Sequence, residues 1–323
     1  MKKILIIGSN FGSKIYLTAF LKLDQLFQIY ICSPNIYNKK INKKIVKYKS
    51  YEKAILENNF EYIICVTTPN VQFKVLEFLN KNKIGLNGIL LEKPISENLP
   101  KIQKSIKILN VNKIPFFVNF IFTELETYKK LKKILKKNDI NEINYTWTFK
   151  QSYFINKIPT WKINDNLGGG LLKYYGIHAI YNLVDLININ KNIGFKIEDI
   201  VFKKKHISAL KVKILHKNIS INLLLNINSK KNLHRINLIG KNNNIELVNK
   251  QKDWTKGFEL IKNKKIFKLK KESRISLVKK IIKKKIIKDE LKKKKYNFKY
   301  LSKVSIAHLI CEKIHKKSKI LIS

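Results

Sequence analysis

The apolar positions follow two different patterns along the chain. Over roughly the first 115 residues, short uninterrupted apolar runs alternate with segments of helical spacing. Uninterrupted apolar runs are typical of strands that are buried on both faces, and strands that alternate with helices build parallel sheets. The pattern predicts strands at 4–7, 27–32, 62–66 and 89–91, with helices at 14–23, 51–58 and 70–80. We therefore predict an N-terminal α/β domain with a doubly wound parallel sheet.

The second pattern begins near residue 142, where predicted strands come in succession. They lie at 143–149, 197–203, 209–215, 219–227, 234–240 and 244–248, with polar turns at 228–232 and 241–244. This succession predicts a C-terminal α+β domain with a mostly antiparallel open sheet. We divide the chain into domains at 1–118 and 119–323. A terminal helix at 302–315 carries an apolar stripe suited to packing back on the N-terminal domain.

Composition narrows the possible partners. Lys and Arg total 67 against 22 Asp and Glu, which gives a formal charge of +45. Because the lysines are spread along the chain together with Ile and Asn, we interpret the excess as compositional drift and do not expect nucleic-acid binding. The densest stretch, residues 264–295, has apolar residues at helical spacing. That spacing favours a solvated helix face, and the alternative is a surface for an anionic ligand or RNA.

The cysteines and the N-terminus indicate the compartment. Cys32, Cys65 and Cys311 lie in apolar surroundings without metal-ligand spacing, so we expect buried thiols, a reducing environment and no metal site. The apolar run after Met1 stops at Gly8, which makes it too short for export or for spanning a membrane. We expect a cytoplasmic protein without a membrane partner.

The turn after the first strand is a candidate phosphate-binding loop. In a dinucleotide-binding turn, the first glycine permits the bend, the second admits the pyrophosphate and the third lets the helix pack on the strand. Gly8 fills the first position, Asn10 the second and Ser13 the third, while Gly12 is an additional glycine. A plain strand-to-helix turn is the alternative. The predicted cofactor-binding residues of this loop are Gly8, Asn10, Phe11, Gly12 and Ser13.

Two further strand ends are predicted to line the same crevice. The second strand ends before Ser33, which we predict to bind cofactor, without an acidic residue for the adenosine ribose hydroxyls. Lys39 and Lys40 follow, and they suit either a 2′-phosphate or solvent. The cofactor prediction is therefore NADP or NAD, with NADP favoured. The strand at 62–66 is closed by Thr68, Pro69 and Asn70, which are also predicted to bind cofactor.

Glu92-Lys93-Pro94 directly follows the predicted strand at 89–91. Lys93 is therefore predicted to lie at the carboxyl end of a strand, where ligands bind in this architecture. A desolvated ammonium at that place can hydrogen-bond a substrate oxygen and stabilise negative charge on it. On spacing alone, a surface lysine at a turn is the better interpretation in a chain this rich in lysine.

A glycine triplet at 168–170 runs into a helical pattern that places Tyr174 and His178 four residues apart on one face. Glycines let the backbone pass close to a ligand. An imidazole titrates near neutral pH, so His178 is the natural general base, with a structural histidine as the alternative. Trp161 is a candidate wall of a sugar-binding pocket.

Taken in order, these segments resemble the Gfo/Idh/MocA family of NAD(P)-dependent sugar oxidoreductases. The resemblance implies an N-terminal Rossmann-type domain, a C-terminal domain whose open sheet mediates homo-oligomers, and a sugar, cyclitol or nucleotide-sugar substrate. Lys93 matches the family's motif lysine and His178 its catalytic histidine. The predicted catalytic residues are Lys93, Tyr174 and His178, the predicted substrate-binding residues are these three with Trp161, and Glu92 and Lys93 join the cofactor-binding residues.

One position departs from the family pattern. The family usually carries an aspartate one helical turn before the histidine, and this chain has Tyr174 there. A phenol carries no charge at pH 7, so His178 would lack an anionic partner at that position. Tyr174 is suited instead to donate a hydrogen bond to substrate or to act as the acid. The alternative function is a catalytically silent nucleotide-binding regulator or scaffold with the same fold.

Overall fold

The computed structural model describes residues 1–23, 27–38, 45–156, 158–203, 206–292 and 294–321. The chain forms two compact units, each made of two stretches of sequence. The first unit comprises residues 1–121 and 274–305, and the second comprises 122–273 and 306–323. This division differs from the single predicted boundary after residue 118, because residues 274–305 belong to the first unit.

A parallel sheet of six strands forms the centre of the first unit in the described residues. Its strands are β1 (Lys2–Ile7), β2 (Phe27–Cys32), β3 (Val46–Tyr48), β4 (Tyr62–Cys65), β5 (Gly88–Leu91) and β6 (Phe116–Val118), in the spatial order β3-β2-β1-β4-β5-β6. Each pair of neighbours is parallel. The predicted Rossmann-type sheet is therefore confirmed. Every residue of β4 and β5 is buried, which explains their uninterrupted apolar sequences.

Four helices connect these strands in the described residues, and two of them begin after a residue whose side chain caps the helix. They are α1 (Thr18–Leu21), α2 (Tyr51–Glu57), α3 (Pro69–Lys81) and α4 (Leu99–Val111). Ser50 and Asn98 precede α2 and α4, and their side chains accept hydrogen bonds from backbone N–H groups three residues later. The first helical segment starts with a wider, π-type turn at Gly12–Leu17, which continues directly into α1.

The second unit contains an eight-stranded sheet within the described residues. Its strands are β7 (Glu142–Lys150), β8 (Gly194–Lys203), β9 (His206–His216), β10 (Ile219–Asn226), β11 (Asn228–Gly240), β12 (Asn243–Asn249), β13 (Glu259–Lys262) and β14 (Lys265–Phe267), in the order β14-β13-β12-β11-β7-β10-β9-β8. Only the β7–β10 pair is parallel, so the predicted mostly antiparallel sheet is confirmed. Its helices include α5 (Glu126–Leu135), α6 (Ser152–Ile155) and α7 (Ile177–Ile187), and the C-terminal helix enters this unit from Ile306 onward.

The predicted polar turn at 228–232 is wrong. These residues begin β11, and Asn228 pairs with Lys150 of β7. The reason is topological, because β7 lies between β10 and β11 and the chain must cross it rather than fold back as a hairpin. The pairing of β11 with β7 has an irregular register between Asn228 and Leu233, where these polar residues lie.

The segment at 274–305 is anchored to the parallel sheet. It contains α8 (Arg274–Ile282) and the beginning of α9 (Lys294–Ile320). Asp289 accepts hydrogen bonds from Lys2 at 2.7 Å and from the Tyr62 hydroxyl at 2.5 Å. The Tyr300 hydroxyl donates to the Val118 carbonyl oxygen at 2.6 Å. These contacts explain why residues 274–305 belong to the first unit.

The lysine-rich stretch at 264–295 forms more than one element, although its apolar residues Ile281, Ile282 and Ile286 are buried as a helix with one solvated face requires. It begins in β14 and continues into α8, and Lys285 is completely buried. The Lys285 ammonium pairs with Glu290 at 3.0 Å and lies 5.2 Å from the centre of the Phe117 ring. Burial of this charge is offset by these two contacts.

Three features bear on the predicted surroundings of the protein. The predicted burial of the cysteine thiols is confirmed, since Cys32, Cys65 and Cys311 are all buried and free of disulfides. Within the described ranges, no helix combines the length and apolar character needed to cross a membrane. The same residues contain no group of three or more His, Cys, Asp or Glu side chains that could hold a metal ion.

Candidate functional site

Gly8 forms the bend at the end of β1 as predicted from its position. Its φ is +111°, a conformation that side-chain-bearing residues rarely adopt. Its N–H donates to the Cys32 carbonyl oxygen at 2.8 Å, and a Cβ at this position would overlap the Val66 carbonyl oxygen. A residue with a side chain therefore does not fit at position 8, because the backbone of Val66 occupies that space.

Gly12, and not Ser13, brings the first helical segment close to the sheet. A Cβ on Gly12 would lie 2.9 Å from Ile6 Cγ2 and 3.2 Å from Val66 Cγ2. Ser13 uses its hydroxyl to donate to the Ser9 carbonyl oxygen at the start of the segment. The position of the third glycine in the predicted motif is thus shifted by one residue, and the helical segment begins directly after Phe11.

This turn fits the pyrophosphate of a dinucleotide. A helix N-terminus presents backbone N–H groups and partial positive charge to such a group. Asn10 is exposed at the turn and Phe11 is partly buried. Phe11 packs edge-to-face on Tyr16, with ring centroids 6.0 Å apart.

The end of β2 is one of the predicted contact points for the cofactor. Ser33 follows the strand and accepts a hydrogen bond from the Ser9 hydroxyl at 3.0 Å. Residues 33–38 contain no carboxylate that would repel a phosphate. Lys39 and Lys40, which suggested NADP in the sequence, lie outside the described residues.

Thr68, Pro69 and Asn70 lie at the start of α3, directly after β4. Thr68 is the N-cap residue with extended backbone, and Pro69 occupies the first turn of the helix. Because β1 and β4 are parallel neighbours, this helix start lies at the same sheet edge as Gly8. The structure thus brings the predicted cofactor-binding residues of the first unit to one edge.

Glu92 and Lys93 are held at the end of β5 by Gln72 of α3. The Gln72 side chain accepts from the Glu92 N–H at 2.8 Å and donates to the carbonyl oxygens of Glu92 and Pro94, each at 3.0 Å. The Lys93–Pro94 peptide bond is cis. Lys93 is only 9% exposed, so the turn is not a surface loop with a solvated lysine.

The Glu92 carboxylate is bound by two polar side chains. Tyr16 donates to Glu92 Oε1 at 3.0 Å, and Asn119 donates to the same oxygen at 2.9 Å. Desolvation raises the pKa of Glu92, although Asn119, Lys93 and Tyr16 act in the opposite direction. The ammonium of Lys93 therefore has a buried carboxyl group next to it whose charge is sensitive to the surroundings.

In the second unit, ring contacts form a continuous aromatic cluster from Trp161 to His178. Trp161 packs against Tyr174 with ring centroids 5.1 Å apart, and Tyr174 packs against Tyr175 at 4.7 Å. Tyr175 contacts Trp147 at 6.1 Å, and Trp147 contacts His178 at 6.0 Å. The cluster connects the three substrate-side residues that were predicted in this part of the chain.

His178 is 6% exposed and has a second buried histidine, His234, near it. Both the His178 and His234 rings pack edge-on against Phe122, at 5.0 and 4.7 Å. His234 stacks on Trp147 at 4.7 Å and shares a hydrogen bond of 2.8 Å with the Tyr145 hydroxyl. Burial lowers the pKa of His234 to about 3, so its imidazole stays neutral at physiological pH.

The glycine triplet packs against its own unit. Gly168 and Gly170 have φ values of +80° and +79°. A Cβ on Gly169 would overlap the Trp161 carbonyl oxygen, and one on Gly170 would overlap the Asp165 carboxylate. The close approach that these glycines permit is to the turn at 161–165, which holds Trp161 in position beside Tyr174.

Several residues of the site carry no sequence motif. The structure adds Tyr16, Gln72, Asn119, His234 and Arg274, the last because it lies beside Phe11. Asn119 is the one of these residues that the sequence could have indicated, because it is a polar residue between apolar neighbours.

Comparison with known proteins identifies the fold. No protein-family model matches the sequence, and no curated protein has a significant sequence match. Among solved structures, biliverdin reductase from Synechocystis is 12% identical, with 96% of this chain and 98% of that chain covered and a TM-score of 0.73. The 3-ketoreductase KijD10 from Actinomadura kijaniata, in complex with NADP and TDP-benzene, is 11% identical over 95% of each chain, with a TM-score of 0.75.

An oxidoreductase from Thermotoga maritima is 15% identical over 96% of each chain, with a TM-score of 0.76. The chain is thus similar in fold, over nearly its whole length, to NAD(P)-dependent oxidoreductases. This is the Gfo/Idh/MocA-type fold that the sequence resemblance implied.

Proposed function

We propose that this protein is an NAD(P)-dependent oxidoreductase that transfers a hydride to or from a hydroxyl or carbonyl carbon of a sugar, cyclitol or nucleotide sugar. The observation that carries the proposal is the buried Lys93 at the carboxyl end of β5, on the sheet edge that also holds the Gly8 turn. The solved structures with the same fold support it, since KijD10 is a ketoreductase in complex with NADP.

The cofactor would be held by the residues at that edge. The backbone from Asn10 to Ser13, which follows the bend at Gly8, binds the pyrophosphate. Ser33 lies where the adenosine ribose would be, and the absence of a carboxylate at 33–38 favours NADP over NAD. Thr68, Pro69 and Asn70 line the crevice beside Glu92 and Lys93. When bound, the dinucleotide supplies or accepts the hydride.

The protein's own side chains handle the substrate and its proton. The Lys93 ammonium donates a hydrogen bond to the reacting oxygen and stabilises negative charge that develops on it. Tyr174 and Trp161 bind the substrate, with the Trp161 ring as an apolar wall. In oxidation, His178 takes the hydroxyl proton as the carbon loses its hydride, and in reduction it returns that proton to the alkoxide oxygen.

The decisive experiment combines cofactor titration with turnover of a panel of sugars, cyclitols and nucleotide sugars. With a substrate identified, Lys93→Ala and His178→Ala should each lower kcat by about 100-fold or more, while cofactor affinity changes little. The control is Lys107→Ala on the exposed face of α4, which should retain wild-type activity. Turnover within a few-fold of wild type in both site variants would contradict the assigned roles.

The second candidate is a catalytically silent nucleotide-binding regulator or scaffold. The observation in its favour is Tyr174, because the family that the sequence resembles usually has an aspartate at this position. The Tyr174 ring packs on Trp161 and Tyr175. Saturable cofactor binding without turnover of any member of the panel would support the scaffold. Turnover of one substrate, lost in His178→Ala, would exclude it.

We also propose a cytoplasmic homo-oligomer that assembles through the sheet of the second unit. On β7 and β10, one face of this sheet carries Glu142, Asn144 and Asn222, which are joined by hydrogen bonds of 2.7 to 3.3 Å. Ile143 and Tyr145, which alternate with them on β7, are buried on the other face. Native mass spectrometry measures the subunit number, and a monomer at micromolar concentration would contradict this assembly.

A further inference from the structure

Arg274 lies beside the phosphate-binding turn although the two are far apart in the sequence. It is the first residue of α8, which packs against α1 and the π-type turn at Gly12–Leu17. The guanidinium carbon lies 5.6 Å from the centre of the Phe11 ring. Phe11 directly precedes the helical segment, so the guanidinium is placed near the N-terminal end of that segment.

The charge of Arg274 is not neutralised by an ion pair with any carboxylate in the part of the chain that the structure describes. Arg235 is the only other arginine in the sequence, and it lies 4.0 Å from Glu246 in an ion pair. The positive charge of Arg274 also acts to lower the pKa of Glu92, although desolvation has the larger, opposite effect. The guanidinium is therefore within electrostatic reach of the carboxyl end of β5 as well as of the turn.

We propose that Arg274 binds the pyrophosphate of the dinucleotide, as a cofactor-binding residue contributed by the C-terminal stretch of the first unit. This inference rests on the proposed function. A pyrophosphate carries two negative charges, and the turn itself offers backbone N–H groups with only partial positive charge. A guanidinium adds a full charge and two parallel hydrogen bonds to phosphate oxygens.

The surroundings of Arg274 suit this role. The Phe11 ring supports the flat guanidinium by a cation–π contact, which limits its conformations before the ligand arrives. Asn10 occupies the motif position where a glycine would let backbone and phosphate approach most closely. A long side chain that reaches the phosphates from α8 compensates for that looser approach.

The test is a binding titration of the full-length wild type, Arg274→Ala and Arg274→Lys with ADP-ribose, NAD and NADP, measured by calorimetry. ADP-ribose contains the pyrophosphate and lacks the nicotinamide. Arg274→Ala should weaken binding of all three ligands by a similar factor of about 10-fold or more, and Arg274→Lys should recover part of the loss. Lys279→Ala, which removes one charge from the same helix, should stay within about twofold of wild type.

Each other outcome overturns the inference in a recognisable way. Unchanged ADP-ribose affinity in Arg274→Ala would exclude the pyrophosphate contact. A loss confined to NADP would assign the guanidinium to the 2′-phosphate, and a loss for both dinucleotides but not for ADP-ribose would assign it to the nicotinamide half. Wild-type protein that binds none of the three would contradict the proposed function itself. Thermal unfolding checks each variant, and Arg274→Gln replaces Arg274→Ala if the latter does not fold.

Discussion

The Tyr16 hydroxyl donates a hydrogen bond of 3.0 Å to the carboxylate of Glu92, across 76 positions of sequence. Tyr16 lies in the helical segment after the phosphate-binding turn, and Glu92 directly precedes Lys93. In the proposed function, this bond therefore joins the residues that hold the cofactor phosphates to those that contact the reacting oxygen. Asn119 donates to both groups, each at 2.9 Å, and completes the connection.

Glu92→Gln should stabilise the protein increasingly as the pH rises. Desolvation raises the pKa of Glu92 above its ordinary value of 4.5, so its contribution to stability is complete below pH 4.5 and is lost as the pH rises through the raised pKa. Glutamine keeps an oxygen for Tyr16 and Asn119 but does not titrate. The gain should be about 1.4 kcal/mol per unit of raised pKa, measured by urea unfolding from pH 4.5 to 8.

Glu97→Gln is the matched control for that measurement. Burial acts to raise the pKa of Glu97, but hydrogen bonds from Lys101 and Ser96 outweigh it, and the net effect lowers the pKa. Its contribution to stability is present above pH 4.5 and is lost as the pH falls, so this variant should be less stable than wild type at neutral pH. If both variants differed from wild type in the same direction in their free energy of unfolding at neutral pH, the two carboxyl groups would not have the different environments described.

Gly8→Ala should lower the free energy of unfolding by at least about 2 kcal/mol. The new Cβ would overlap the Val66 carbonyl oxygen, and the φ of +111° is strained for alanine. Cofactor affinity should fall as well, because the bend positions the phosphate-binding turn. The control is Gly85→Ala, where a Cβ would have no heavy atom within 4 Å, and its stability should change by less than about 0.5 kcal/mol. Equal effects at the two glycines would refute this account of the bend.

His234→Gln should make the protein less sensitive to acid. Burial lowers the pKa of His234 from 6.5 to about 3, so its contribution to stability is complete above pH 6.5 and is lost as the pH falls toward 3. Between pH 7 and 5, wild type should lose about 2 kcal/mol more than the variant. Glutamine can still accept the Tyr145 hydrogen bond. Parallel stability curves in urea unfolding would show that His234 is not the neutral buried group assigned here.

Tyr174→Phe and Tyr174→Asp test the position that departs from the resembling family. Phenylalanine keeps the ring contact with Trp161 and removes the hydroxyl, so kcat should fall by about 10-fold or more if the phenol donates to substrate. Aspartate removes the ring but supplies a carboxylate that favours the protonated form of a nearby base, which should shift the acidic limb of the kcat/KM profile for oxidation to higher pH. If both variants kept the wild-type kcat and the wild-type pH profile of kcat/KM, Tyr174 would have no catalytic role.

The sheets could be predicted because burial on two faces and burial on one face leave different patterns. In β4, all residues from Tyr62 to Cys65 are buried, whereas β7 alternates buried and partly exposed positions. The short strand β3 (Val46–Tyr48) was not predicted, because three residues at the edge of a sheet carry too little periodicity. The parallel β7–β10 pair was not predicted either, since pairing depends on how the chain crosses the sheet.

The sequence by itself determined the alternation of buried strands and helices at the start of the chain, the glycine bend at Gly8 and the placement of Lys93 at the end of a buried strand, because these follow from local burial and backbone geometry. Only the tertiary structure decided that Tyr16, Gln72 and Asn119 surround Glu92, and that the segment beginning at Arg274 returns to the phosphate-binding turn. The physical reason is that these contacts join residues distant in sequence, and no periodicity in the chain encodes which side chains meet once its apolar faces are buried together.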